Sequence, residues 1–266
     1  MKIAILGYGT VGSGVADIIE LNNKTVSENV GEDIEVKYIL DIREFPGDKN
    51  EKKITNDYNK ILEDDEVRVV CEVMGGVNPA YEFSKKALEA GKSVCTSNKE
   101  LVANHGGELL ELARKNKVNY LFEASCGGGI PVICTINSAL TANNIDEITG
   151  ILNGTTNYIL TNMAEKGAEY AEVLKEAQDL GYAERNPEAD VEGYDACRKI
   201  AILSSLAFNK KVSYEDIYTE GITKISKEDI LYAKRMNMAI RLLATSRKAE
   251  DGRVFSMVSP FMVNSS

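Results

Sequence analysis

The chain has 266 residues, 44% of them apolar, with five Pro and a formal net charge of −10. That length suits one large domain or two ordinary ones, since a single core stops growing near about 250 to 300 residues, and the composition is that of a folded globular chain. The negative charge disfavours a polyanion such as DNA, and the lone histidine, His105, excludes a histidine-based metal cluster.

No window approaches about 18 uninterrupted apolar residues, and "MKIAILGYGT" turns glycine-rich too soon for a secretory signal, so no membrane span and a cytoplasmic location are expected. Five scattered cysteines (Cys71, Cys95, Cys126, Cys134, Cys197), none in CxxC spacing, read as reduced structural thiols. If the chain is an enzyme, proton transfer falls to Lys, Asp, Glu or Tyr.

In chain order, "KIAILG" reads as a buried strand, "VGSGVADIIELN" as a helix and "EVKYILDI" as the next strand. A short helix at "DYNKILEDD" precedes a strand at "VRVVCEVM", a helix at "PAYEFSKKALEAGK" and a strand at "SVCTS". "KELVANHGGELLELARKNK" is a helix and "NYLFEAS" a fifth strand, which makes an α/β fold with a Rossmann-type doubly wound parallel sheet. The texture then changes. "GGGIPVICTINSALTANN" reads as a glycine-rich turn entering a helix and "IDEITGILNG" as a strand; helices follow at "TTNYILTNMAEK", "YAEVLKEAQDLG" and "YDACRKIAILSSLAF". The tail "RVFSMVSPFMVNSS" reads as a strand. Two domains result: residues 1–130 with the doubly wound sheet, and residues 131–266 with a second α+β fold.

"GYGTVG" (Gly7, Tyr8, Gly9, Thr10, Val11, Gly12) has GxGxxG spacing between a strand and a helix. Glycines there allow a tight turn, close approach of a pyrophosphate and helix packing, while the helix N-terminus supplies N–H groups. Asp41, ending the second strand, is placed to accept from a ribose 2′-OH and favours NAD; Arg43 is placed to meet the 2′-phosphate of NADP, so the cofactor choice stays open. "TSNK" puts Lys99 at the carboxyl edge of the sheet, facing nicotinamide or substrate. His105, in the following helix, reads as a surface or capping residue. "FEASCGGGIP" exposes main-chain groups that can cradle a ligand or coordinate a monovalent cation, or simply act as a hinge.

The charge-rich run "AERNPEADVEGYDACRK" enters the helix "YDACRKIAILSSLAF", on which Ala196, Ile200, Leu203 and Ala207 form an apolar stripe and Asp195 and Lys199 share an adjoining face at i and i+4. A lysine paired to a carboxylate beside a buried stripe is a candidate acid/base for a developing alkoxide. Glu184 and Asp190, upstream in an irregular loop, can hold an ammonium group, whereas Glu188, Glu192, Arg185 and Arg198 read as solvated charge.

The run "AQDLGYAERNPEADVEGYDACRK", Ala177 to Lys199, resembles the signature of the homoserine dehydrogenase family without a departure. "GILNGTTNYIL", "TSNK" and "GGGIP" fall in the family's order, with Ser97 where Ala is usual. The resemblance implies interconversion of L-homoserine and L-aspartate 4-semialdehyde with NAD or NADP, in the biosynthesis of threonine, methionine and isoleucine. By it, Lys199 is the acid/base, Lys99 lies beside substrate and nicotinamide, Glu184 grips the amino group, and Asp190 and Asp195 order the site. Backbone at Gly154 and Thr155 meets substrate; main-chain oxygens of Glu123, Cys126, Gly128 and Ile130 match a sodium site. It also implies a homodimer through the second domain's sheet. The family continues past the last strand into a segment that returns to the nucleotide-binding domain, so a chain ending at Ser266 is expected to be a truncated or incomplete form, which intact mass tests. Two other readings compete: a non-catalytic dinucleotide-binding sensor, and another two-domain Rossmann oxidoreductase such as a sugar dehydrogenase.

Overall fold

A computed structural model of the chain describes residues 1–264. Two units divide it, Met1–Val132 and a second starting at Ile133.

In the first unit the order is β1 (Lys2–Leu6), α1 (Thr10–Leu21), α2 (Asn23–Val30), β2 (Glu35–Leu40), β3 (Ile54–Thr55), α3 (Asn59–Leu62) and β4 (Val67–Glu72). It continues with α4 (Ala80–Glu89), β5 (Ser93–Thr96), α5 (Lys99–Asn116) and β6 (Tyr120–Leu121). All six strands are parallel, in the order β3-β2-β1-β4-β5-β6. A parallel strand needs a crossover of a dozen or more residues, which the helices supply, and both faces are then covered. Hence Ala4, Ile5 and Leu6 form an unbroken apolar run and are fully buried. Strand order reverses between β1 and β4, which opens a crevice at their carboxyl ends.

Six strands stand where five are expected. β3 is only two residues long, too short for a periodicity to show, and α2 follows α1 almost directly. β6 keeps two residues of "NYLFEAS", because the chain turns at Phe122 into a single 3₁₀ turn, Glu123–Ser125.

The second unit follows a short helix, α6 (Val132–Cys134), which widens into a π-helical turn at Thr135–Ala139 rather than continuing as the long helix expected. Then come β7 (Glu147–Gly150), α7 (Gly154–Lys166), α8 (Tyr170–Asp179), α9 (Glu188–Val191) and α10 (Tyr194–Ala207). The last elements are β8 (Tyr218–Thr219), α11 (Lys227–Arg235), β9 (Met238–Lys248) and β10 (Val254–Asn264). The sheet order is β7-β9-β10-β8, antiparallel except for the β10–β8 pair. β10 is the strand expected at the tail; the last two residues of that expectation lie outside the described residues.

α7, α10 and α11 pack on one face of this sheet. Ile240, Leu242, Ala244 and Ser246 alternate along β9 and are buried against them, with Ile159, Leu160 and Met163 from α7. The stripe on α10 behaves as its spacing predicts for Ala196, Ile200 and Leu203, which are buried, whereas Ala207 at the helix end is half-buried. Burying one such aliphatic side chain stabilises by roughly 1.5 to 3 kcal/mol. Among the described residues no helix is long and apolar enough to cross a membrane.

Candidate active site

The glycine loop comes first. Gly7 has φ +96° and its N–H donates to Leu40 O, so the chain doubles back over β2 in a conformation that L side chains avoid. A Cβ on Gly12 would lie 1.9 Å from Gly7 O, so only glycine allows α1 to sit this close to the turn. Gly9 differs: a Cβ there meets no protein atom within 4 Å. Packing within the protein does not demand that glycine, whereas a phosphate seated on the helix end does. α1 also begins with Gly9 as an N-cap that supplies no side-chain hydrogen bond, with no acidic residue in its first turn. α5 and α7, by contrast, are capped by Asn98 and Asn153. Thr10 and Val11 are exposed. Uncapped N–H groups and the helix dipole fit a dinucleotide pyrophosphate.

Beside this loop Asp41 is tightly held. Its carboxylate accepts from Tyr8 N–H at 2.8 Å and from Arg43 N–H at 2.9 Å, and the Arg43 guanidinium donates to it through Nε at 3.0 Å and Nη2 at 2.9 Å. The Arg43 fork holds the Asp41 carboxyl well below the usual carboxylate range. Arg43 also lies over the Phe45 ring, and Tyr8 Oη donates to Asp48 Oδ1 while accepting from Asn50 Nδ2. The segment after β2 is thereby pinned to the glycine loop.

At the carboxyl ends of β4 and β5 a fully buried carboxylate, Glu72, organises the turns. Glu72 Oε1 accepts from Met74 N–H at 2.8 Å and Oε2 from Thr96 Oγ1 at 2.5 Å. Thr96 Oγ1 in turn accepts from Asn98 N–H, and Asn98 donates through Nδ2 to Gly76 O while capping Leu101 N–H. Burial pushes the Glu72 carboxyl up. Lys99 is the first residue of α5, set directly after this capped turn. His105 stacks on Tyr81 with ring centroids 4.2 Å apart, in keeping with a surface role.

The glycine run after β6 is a tight main-chain turn. Cys126 N–H donates to Glu123 O, Ile130 N–H to Gly127 O and Val132 N–H to Ile130 O. Gly127 and Gly128 have positive φ, +75° and +58°.

In the second unit, Lys199 Nζ donates to Asp195 Oδ2 and to Leu152 O, both at 2.8 Å. The pair is well buried: the Asp195 side chain is 3% exposed and that of Lys199 19%. Asn153 Nδ2 bridges Asp190 Oδ1 at 2.7 Å and Asp195 Oδ2 at 2.9 Å, while Asn153 Oδ1 accepts from Thr156 N–H and caps α7. Gly154 and Thr155 open that helix, and Thr155 Oγ1 donates to Tyr182 O. Lys199, Asp195, Asp190 and the start of α7 therefore form one hydrogen-bonded cluster. Glu184 is exposed and is tied through its main chain, where its O accepts from Gln178 Nε2.

Profiles built from known families match both parts of the chain: "Homoserine dehydrogenase, NAD binding domain" over residues 7–123 and "Homoserine dehydrogenase" over residues 131–266. The chain belongs to the homoserine dehydrogenase family. The homoserine dehydrogenase of Pseudomonas aeruginosa is 43% identical over 253 residues, 95% of this chain, and that of Bacillus subtilis is 41% identical over 251 residues, 93% of it. The chain spans 58% of the length of each of those relatives. The crystal structure of a homoserine dehydrogenase from Thiobacillus denitrificans superposes with a TM-score of 0.92 at 39% identity, over 99% of this chain and 62% of that one. A hyperthermophilic archaeal homoserine dehydrogenase in complex with NADPH superposes with a TM-score of 0.82 at 28% identity, over 100% of this chain and 82% of that one.

Within this homoserine dehydrogenase fold, sequence reasoning misses two contributors to the lysine cluster, Asn153 and the Leu152 carbonyl. Asn directly before a helix start in "ILNGTTNY" is the available signal for a cap, but nothing in it points to carboxylates 37 and 42 residues away. Two charges assigned to solvent are partly buried instead. Glu192 accepts from Thr223 Oγ1 at 2.9 Å, and Arg198 lies over the Tyr214 ring with its Nε buried.

Proposed function

We propose that the chain carries out the NAD(P)-dependent interconversion of L-homoserine and L-aspartate 4-semialdehyde, with the first unit holding the dinucleotide and the second the substrate. One observation carries the reading: Lys199 Nζ held 2.8 Å from both Asp195 Oδ2 and Leu152 O, beside the capped start of α7.

The bound nicotinamide supplies hydride in one direction and takes it in the other. Gly7, Gly9 and Gly12 with Tyr8, Thr10 and Val11 seat the pyrophosphate; Asp41 and Arg43 face the adenosine ribose, for NAD or NADP. Asp195 and Leu152 O hold the Lys199 ammonium in place beside the start of α7, where the substrate oxygen is taken to bind. There Lys199 donates its proton as the aldehyde becomes an alkoxide and recovers it in the reverse reaction. The Asp195 carboxylate stabilises the ammonium form. Asp190 is aligned with Asp195 through Asn153. Glu184, exposed in its loop, receives the substrate ammonium, and the first N–H groups of α7, at Gly154 and Thr155, meet its carboxylate. Lys99 lies beside nicotinamide and substrate. Main-chain oxygens at Glu123, Cys126, Gly128 and Ile130 hold a sodium ion.

The partner is a second copy. Helices cover one face of the second unit's sheet, while Phe255, Met257, Phe261 and Leu243 project from the other, Phe255 being exposed. A face that sets these apolar side chains among Arg241, Thr245 and Arg247 suits an isologous dimer.

The test is homoserine oxidation followed with NAD and with NADP, for the native chain and for Lys199→Ala. The reading requires turnover in the first and its loss in the second. Tight dinucleotide binding without turnover in the native chain would favour a sensor.

A further inference from the structure

Cys71 and Cys95 are register partners on the neighbouring parallel strands β4 and β5. Their side chains point to the same side of the sheet, toward the core that Ile5, Tyr8 and Ala16 build beneath α1, and their sulfurs lie 3.2 Å apart. A disulfide needs Cα atoms about 4.4 to 6.8 Å apart, which neighbouring strands at about 4.8 Å satisfy. Only the sulfur–sulfur gap has to close, by about 1.2 Å, to reach a bond length near 2.05 Å. Cys71 is buried and Cys95 half-buried, so an oxidant reaches Cys95 first. The mutual contact holds the Cys95 thiol below its ordinary range, while the same contact and burial push Cys71 up.

We propose that Cys71 and Cys95 are a modification site, a thiol pair that a peroxide converts reversibly into a disulfide. The Cys95 thiolate attacks a peroxide oxygen, the O–O bond breaks, and Cys95 becomes a sulfenic acid as hydroxide leaves and is protonated to water. Cys71 sulfur then attacks the sulfenic sulfur; the S–S bond forms, the S–O bond breaks, and the departing hydroxide takes the Cys71 proton as a second water. Two thiols lose two electrons and two protons, and one hydrogen peroxide becomes two waters.

The bond changes what lies next to it. Glu72 and Thr96 directly follow the two cysteines, bond each other at 2.5 Å and reach on to Met74 N–H and, through Asn98, to Gly76 O, so any strand shift on cross-linking is passed to the turns at Met74–Gly76 and Ser97–Lys99. The second of those turns carries Lys99, assigned above to the cofactor side, a clause that rests on the proposed function; the disulfide itself does not.

Hydrogen peroxide on the native chain, read by intact mass and peptide mapping, tests the pair. The expected product has lost two hydrogens, carries a cross-link between the Cys71 and Cys95 peptides, and reverts with dithiothreitol. In Cys71→Ser the cross-link is absent and a sulfenic acid on Cys95 is trapped by dimedone; Cys95→Ser gives neither. Amide hydrogen exchange at Met74–Gly76 and Ser97–Lys99 changes on oxidation of the native chain. Oxygen addition at Cys95 without a cross-link, or a cross-link through Cys126, Cys134 or Cys197, would overturn the proposal. Unchanged exchange in the cross-linked chain would overturn the coupling to the turns.

Discussion

Each unit buries a carboxylate at its site, and the two are compensated in opposite ways. Glu72 in the first unit is bound by neutral donors, the Thr96 hydroxyl and the Met74 N–H. Asp195 in the second is bound by an ammonium, Lys199, and by the Asn153 amide. Neutral donors order a turn without moving a proton, and burial accordingly pushes the Glu72 carboxyl up. A cation held by a carboxylate is a proton already in place. The first arrangement is scaffolding for Lys99 and the loops around it; the second is suited to acid/base chemistry.

Removing the proposed proton donor breaks this contrast most directly. Lys199→Ala is expected to cut turnover by roughly 10²- to 10⁴-fold while dinucleotide affinity, followed by nicotinamide fluorescence, stays within about twofold. Near-native turnover would remove Lys199 from the chemistry. Asp195→Ala attacks the same pair from the other side. It leaves the Lys199 ammonium without its buried counter-charge, and urea titration should register a loss of about 3 to 5 kcal/mol; a loss under about 1 kcal/mol would mean that the pair is hydrated in solution.

Asn153→Ala removes the α7 cap and the bridge between Asp190 and Asp195 together, for which about 1 to 2 kcal/mol of stability is expected. Its homoserine KM should rise more than its dinucleotide Kd, since the bridge lies wholly in the second unit; equal effects on both would contradict that placement.

The smallest effect sharpens the first-unit half of the contrast. With its carboxyl pushed up by burial, native Glu72 keeps a proton over a pH range in which the unfolded chain has released it. Stability contributed by this group therefore falls as pH rises from the ordinary carboxyl value to the raised native one. Glu72→Gln should flatten that slope in thermal-unfolding midpoints while preserving most of the native fold, and an unaltered slope would show that Glu72 is not its source.

Periodicity and spacing made much of this readable. Continuous apolar runs marked β1, β4 and β5, and 3.6-residue periodicity marked α1, α4, α5, α7, α8 and α10, because each pattern is local and repeats over several residues. The i and i+4 spacing of Asp195 and Lys199 placed an ion pair that the helix geometry then delivers at 2.8 Å. β3 and β8, each two residues long, carry no period of their own and exist because a longer neighbour offers them an edge. β9 is left unassigned by the sequence reading, and its place between β7 and β10 follows from pairing across the sheet.

The amino-acid sequence alone determined the alternation of strands and helices in the first unit, the glycine turn, the lysine helix and the family signature, because each is written in patterns local along the chain. Only the tertiary structure decided which groups meet: Asn153 between Asp190 and Asp195, Leu152 O on Lys199, and Glu72 across to Thr96. Those contacts span 24 to 47 residues and depend on where whole elements pack, so no local pattern encodes them. In the run "AERNPEADVEGYDACRK" the pairing of Asp195 with Lys199 was legible from spacing, and the wiring around that pair was not.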